Sequence, residues 1–312
     1  MASQRIVILG GTGFVGSVLV QQLSRDDHHV VLLSRNREKK RASVLPNVSV
    51  RTADIYDRMA LEQHFAAADT VINLVGILNE AGSDTFRRTH VELTATVIGA
   101  CQNAGVRHLH QMSSLKAGQG LSQYLKTRGE AEALVKASGL DWTIYQPSVI
   151  FGRGDGLVTR FARLLKFAPV LPLARTHSKM APVFVGDVAE AIALCVRQHD
   201  ISHRQVFELY GPEVLELGQI VRKIRDAAGM KRVIVPLPDG LGRVQAQLAQ
   251  LLPGKPFSVD NFLSLRTDSV GKTDGLATLG INSVAFTPYL PIILAAPAHH
   301  RRMDRARGMR RQ

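Results

Sequence analysis

Apolar and polar positions alternate along the first half of this chain in two periods that take turns. The run Arg5-Ile6-Val7-Ile8-Leu9 is short and continuously apolar, as a buried strand requires, and it drops into Gly10. Val15, Val18, Leu19 and Leu23 then recur at helical spacing, and a second apolar run follows at Val30 to Leu33. Val48 to Ala53 predicts a third strand and Leu61 to Phe65 a helix. Thr70-Val71-Ile72-Asn73-Leu74-Val75-Gly76 has the pattern of a central parallel strand buried on both faces. Phe86 to Asn103 predicts one long helix stopped at Gly105. Val106 to Met112 predicts a fifth strand, Tyr124 to Ser138 a helix stopped by Gly139, and Asp141 to Gln146 a sixth strand.

Strand and helix alternating over more than a hundred residues with short connections imply an α/β, Rossmann-type doubly wound parallel sheet. Beyond residue 150 the pattern loosens. Helices are expected at Val158 to Leu165, Asp187 to Val196, Leu217 to Ala228 and Val244 to Leu252, and strands at Gln205 to Tyr210 and Lys231 to Val235. Asp187 is expected to cap its helix. The division that follows is a dinucleotide-binding core over 1–150, a smaller substrate lobe over 151–298 interleaved with the core, and a basic tail over 299–312, expected to be disordered. The apolar stretch Tyr289 to Ala298 is too short for a membrane span and is expected to pack on the body rather than rest on a membrane surface.

The junction between the first strand and helix carries the first chemistry. Gly10-Gly11-Thr12-Gly13-Phe14-Val15-Gly16 spaces three glycines by two residues: the first permits a tight turn, the second lets backbone approach a pyrophosphate, and the third lets the helix pack closely on the strand. Free N–H groups at the start of that helix point at the phosphates. The competing readings are a structural turn or another ligand of the same fold, such as a methyl donor. In a doubly wound sheet ligands bind at the carboxyl ends of the strands. That edge would gather Gly13, Asp54 with Ile55, Val75 with Gly76, and Ser113-Ser114. Asp54 is placed to accept a hydrogen bond from the adenine amine or to cap the next helix. The second strand ends in Ser34-Arg35-Asn36-Arg37, where NAD sites carry an acidic residue for the ribose hydroxyl; Arg35 and Arg37 there favour NADP(H) over NAD(H).

Composition narrows the partners. The 312 residues carry a net charge of +13, but the last fourteen, HHRRMDRARGMRRQ, supply +5 of it with six arginines and one aspartate. That concentration suits contact with anionic lipid or an acidic protein, and no zinc-finger or RNA-binding signature accompanies it, so specific nucleic-acid binding is not expected. Cys101 and Cys195 have neither disulfide nor metal-ligand spacing. His108 and His110 alternate on one strand, with no carboxylate or cysteine nearby in sequence to complete a set, and no metal is expected. With no signal-peptide pattern at the start, a cytoplasmic location is expected, with peripheral attachment to the inner face of a membrane as a variant.

GGTGFVG, the strand ending NLVG, Ser113-Ser114, Tyr124 and QPSVIFG together resemble the extended or atypical short-chain dehydrogenases/reductases. Within that superfamily HVELTATVIGACQNAGV, SQYLKTRGEAE, PSVIFGRGD, PVFVGDVAEAI and FSVDNFLSLRTDSV are most similar to the group of the 39 kDa accessory subunit of respiratory complex I and its bacterial relatives. The resemblance spans most of residues 4–290. It implies that Tyr124 is a general acid/base, that Ser113 or Ser114 holds the substrate oxygen, and that Pro147 begins a segment beside the nicotinamide. Ser113 fits the complex I group and Ser114 the sugar-nucleotide enzymes.

The superfamily places a lysine four residues after the tyrosine, on the same helix face, where a cation stabilises the phenolate and reaches the ribose. This chain has Arg128 there. Lys126 is no substitute, since two residues turn about 200° around a helix. Three readings therefore stay open: an NADP(H)-dependent oxidoreductase linked to the respiratory chain or to ubiquinone biosynthesis, a non-catalytic assembly or regulatory protein stabilised by its cofactor and attached to a respiratory or quinone-related membrane complex, and a sugar-nucleotide epimerase or dehydratase.

Overall fold

A computed structural model describes residues 3–34, 45–250 and 257–295. Arg35, Arg37 and the basic tail lie outside the described residues.

Six strands of the first half, Arg5–Leu9 (β1), His29–Ser34 (β2), Val48–Thr52 (β3), Thr70–Asn73 (β4), His108–Met112 (β5) and Asp141–Pro147 (β6), form one parallel sheet. Helices Phe14–Leu23 (α1), Arg58–Phe65 (α2), Leu93–Ala104 (α3) and Gln123–Ala137 (α4) connect them. In the C-terminal part the short strands Ile150–Phe151 (β7), Val170–Ala174 (β8), Lys179–Met180 (β9) and Val183–Phe184 (β10) precede Gln205–Leu209 (β11), which returns to the main sheet beside β6. Leu215–Glu216 (β12) pairs with β9, and Val233–Leu237 (β13) with β8. The main sheet has the order β11-β6-β5-β4-β1-β2-β3. The strand order reverses between β1 and β4, and a ligand crevice opens at such a switch.

The apolar runs alternate their side chains between two cores. Ile6 and Ile8 pack with Leu19 of α1 and with Val188 and Ile192 of Val185–Arg197 (α6), while Val7 and Leu9 pack with Leu61 of α2 and Val97 of α3. Each such side chain, removed from water, contributes about 1.5–3 kcal/mol. Because α6 covers α1 and β11 joins the sheet, residues beyond 150 supply part of the first core. The smaller lobe has its own core, built by Phe151, Val158 and Leu165 of Val158–Phe167 (α5), Ile220 and Ile224 of Leu217–Ala227 (α8), and Phe286, Leu290 and Ile293 of the helix over 286–295. The described part of the apolar stretch near the end, through residue 295, thus packs on the body. Among the described residues no helix is long and apolar enough to cross a membrane.

Three expectations are corrected. The single helix over Phe86 to Asn103 widens to π-helical geometry over Arg87–Glu92 before continuing as α3, a distortion that side-chain periodicity does not register. Asp187 does not cap α6. Phe184 occupies that position, and Asp187, one turn inside, accepts a hydrogen bond at 2.8 Å from the backbone of Val284. The helix expected from Val244 begins at Asp239 (α9, Asp239–Ala249), because Gly240 and Gly242 in its first turns conceal the apolar period.

Candidate cofactor and active site

Gly10 leaves β1 with φ +79°, and a Cβ there would stand 3.2 Å from the backbone of Leu74 and 3.3 Å from that of Val75. The loop after β4 therefore packs directly on the glycine turn. A Cβ on Gly16 would fall 2.4 Å from the Gly10 carbonyl, which fixes α1 close against the loop. The Gly13 N–H donates to the Gly10 carbonyl at 2.9 Å, and Gly13, exposed, is the N-cap of α1. It has no side chain to satisfy the first-turn N–H groups, which face outward beside the partly exposed Thr12, Phe14 and Val15. Such a terminus fits a phosphate.

Asp54 is exposed at the end of β3, and its Oδ1 accepts the Tyr56 N–H at 3.0 Å. The cap of α2 falls to Asp57, whose carboxylate accepts from Met59 and Ala60, so Asp54 stays at the sheet edge above the buried Ile55.

On the other side of the crevice, Ser122 caps α4 by accepting the Leu125 N–H, and helical spacing sets Tyr124 and Arg128 one turn apart. Arg128 is buried: one guanidinium nitrogen donates to the Met112 carbonyl at 2.9 Å, Nε has no partner, and Nη2 lies 2.0 Å from where a Cβ on residue 76 would stand. The guanidinium sits 5.5 Å from the centre of the Tyr124 ring. No ion pair to it is found among the described residues, and a buried cation so placed calls for an anion or a polar ligand. Lys126 is exposed on the outer face, as its spacing requires.

The two serines after β5 differ. Ser113 donates its hydroxyl to buried Glu132 at 2.5 Å, and Gln146 donates to the same carboxylate oxygen at 2.7 Å. Ser114 has a buried hydroxyl without a partner. Pro147, buried at the end of β6, receives the Leu115 N–H on its carbonyl and so holds this serine loop against the sheet.

Two groups escaped sequence reasoning. His90, from the π-helical turn, stands edge-on to Tyr124 with ring centres 5.5 Å apart. Its Nε2 accepts the Ile77 N–H at 3.4 Å, and its Nδ1 lies 2.9 Å from the Thr127 hydroxyl, which itself donates to the Gln123 carbonyl. That assigns the ring proton to Nδ1. Burial, with Arg128 adding to it, lowers the His90 pKa to about 2. Asp260, in Val259–Ser264 (α10), accepts the N–H groups of Gln123 and Tyr124 at 2.6 and 3.2 Å. Sequence spacing does not reveal this second cap, because its acceptor is a carboxylate far along the chain.

The family model described as NAD(P)H-binding matches residues 10–165, from the first glycine of the loop through β6 and beyond. The chain belongs to the NAD(P)H-binding family. It carries an NAD(P)H-binding domain. Its relatives include the mitochondrial NADH dehydrogenase [ubiquinone] 1 alpha subcomplex subunit 9 of Arabidopsis thaliana, 26% identical over 286 residues that cover 86% of this chain and 71% of that protein. A ceramide reductase of Caulobacter vibrioides is 29% identical over 197 residues, covering 61% of this chain and 60% of that protein. Among solved structures, an NADPH-dependent quinone oxidoreductase of Escherichia coli complexed with NADPH superposes with a TM-score of 0.77 at 19% identity, covering 92% of this chain and 99% of that one. This last likeness is one of fold.

Proposed function

We propose that this member of the NAD(P)H-binding family is an NADP(H)-dependent reductase of a carbonyl or quinone, working at the surface of a respiratory or quinone-related membrane complex. The observation that carries the reading is Arg128, a buried cation with an unpartnered Nε, wedged between Gly76 and the Tyr124 ring at the carboxyl edge of the sheet. When bound, the nicotinamide supplies or accepts a hydride. The chain does the rest. Gly10, Thr12, Gly13, Phe14, Val15 and Gly16 hold the pyrophosphate, Asp54 and Ile55 the adenine end, Arg35 and Arg37 the 2′-phosphate, and Val75, Gly76 and Pro147 line the path to the nicotinamide. Tyr124 donates its phenolic proton to the substrate oxygen, Ser114 holds that oxygen, and Arg128 stabilises the phenolate left behind. His90, neutral throughout the working pH range, buttresses the phenol without competing for its proton.

A second reading rests on a different observation. Arg128 already donates to the Met112 carbonyl and replaces the lysine of the superfamily, which suits a cofactor held for stability rather than turnover. The likeness to a subunit of a respiratory complex supports it, and the basic tail would then meet anionic lipid. A thermal-shift titration with NADPH, NADP, NADH and NAD, followed by incubation of the best cofactor with quinones, separates the two. A selective NADP(H) shift with oxidation of NADPH supports the reductase. The same shift without turnover gives the cofactor-holding protein, and no selective shift removes the NADP(H) assignment.

A further inference from the structure

The opposite edge of the sheet holds a second cluster of chemistry-bearing groups. His108 opens β5 and Asp141 opens β6, and the parallel register sets them side by side. The short helix His199–Ser202 (α7), leading into β11, brings His199 and His203 over the same spot. His199 Nδ1 lies 3.0 Å from His108 Nδ1, His199 Nε2 2.6 Å from Asp141 Oδ2, and His203 Nδ1 2.5 Å from Asp141 Oδ1. One potential ligand atom from each of His108, Asp141 and His199 falls within 4.8 Å of the other two. The carboxylate that sequence proximity did not offer to His108 comes from the neighbouring strand.

The hydrogen bonds around His108 settle which of its nitrogens is free. The Thr143 hydroxyl donates to the Ser202 carbonyl at 2.8 Å, so it can only accept from His108 Nε2, 3.0 Å away. The proton is on Nε2, and the Nδ1 lone pair is aimed at His199. Metal-binding imidazoles are held in this way, with the second ring nitrogen donating to a fixed acceptor that sets tautomer and orientation. His108 is 5% exposed, so its ring is held in place by the surrounding packing. A tetrahedral ion with bonds of about 2.0–2.1 Å separates its donors by roughly 3.3 Å, close to the spacing of the two Nδ1 atoms.

We propose that His108, Asp141 and His199, with His203 on the other carboxylate oxygen, form a binding site for a divalent transition metal of the zinc class. Imidazole with carboxylate is a donor set such ions prefer, and it discriminates against magnesium and calcium. The ion clamps α7 and the start of β11 onto the amino edge of β5 and β6, at the end of the sheet opposite Gly10 and Gly76. It is a structural site, independent of the cofactor reading.

The test uses tag-free full-length chain, stripped with chelator. Zn2+ at a hundredfold excess over its dissociation constant is expected to raise the melting temperature by about 5 °C. Magnesium is expected to leave it unchanged. Protein desalted after loading should retain one equivalent of zinc by elemental analysis, and X-ray absorption should count two or three imidazole ligands. The double variant His199→Ala/His203→Ala should melt cooperatively and lose both the shift and the retained metal, while His177→Ala, at an exposed histidine elsewhere, keeps them. Zinc that is not retained, a shift that survives in the double variant, or an absorption spectrum with fewer than two imidazoles overturns the site. If the double variant does not fold, the absorption spectrum of the loaded wild type decides alone.

Discussion

The Arg128 guanidinium occupies the space that a side chain on residue 76 would need: Nη2 stands 2.0 Å from the position of a Cβ there. Glycine in the loop after β4 thus leaves room for a buried cation 52 positions later on α4, and a side chain at 76 displaces the guanidinium. Gly76→Ala is expected to push Arg128 off its bond to the Met112 carbonyl, cost about 1–3 kcal/mol in urea unfolding, and weaken the thermal shift given by NADPH. A variant that keeps full stability and an undiminished shift would show that Arg128 has other room.

Ser113 and Ser114 are expected to separate in mutants. Ser113→Ala removes one of the donors to buried Glu132 and should cost about 1–2 kcal/mol of stability with little change in turnover. Ser114→Ala, which breaks no bond within the protein, should leave stability intact and lower kcat/KM for NADPH-dependent quinone reduction. The reverse pattern would move the substrate oxygen to Ser113.

Tyr124→Phe should reduce that turnover about 10²–10⁴-fold, the usual yield of a positioned acid, while the NADPH thermal shift stays as in the wild type. Turnover that is unaffected removes Tyr124 from the chemistry.

Asp260 links the lobes by accepting two N–H groups at the start of α4. Asp260→Ala is expected to lose about 1–2 kcal/mol, and, because Tyr124 lies in the freed turn, to lower turnover as well. Equilibrium unfolding and steady-state kinetics on one preparation read both.

Two buried groups give opposite pH dependences. His90 titrates near 6.5 when unfolded and about 2 when folded, so its contribution is full above pH 6.5 and is lost, at about 1.4 kcal/mol per pH unit, as pH falls below it. The stability difference between wild type and His90→Gln should carry that slope. Burial raises Asp187 to about 6, so its contribution is full below the unfolded value of 3.8 and is lost as pH rises through about 6. Asp187→Asn, which keeps an acceptor for the Val284 N–H, should gain on wild type above pH 6 and not below pH 4.

The alternation of apolar runs with helical stripes, the glycine loop and the Gly105 stop were all legible in the chain, because each depends on neighbours within a turn or a strand. Such local preferences specify which face of an element is buried, and hence the parallel sheet and its ligand edge. They carry no information about what an element meets. Packing of α4 against the loop after β4 decided that Arg128 faces Gly76, and the docking of α10 decided that Asp260 caps Tyr124. The widened turn that aims His90 at the phenol, and the register that puts Asp141 beside His108, arise the same way. These pairs are distant in sequence, and their energy is realised only once the sheet has brought their elements into contact.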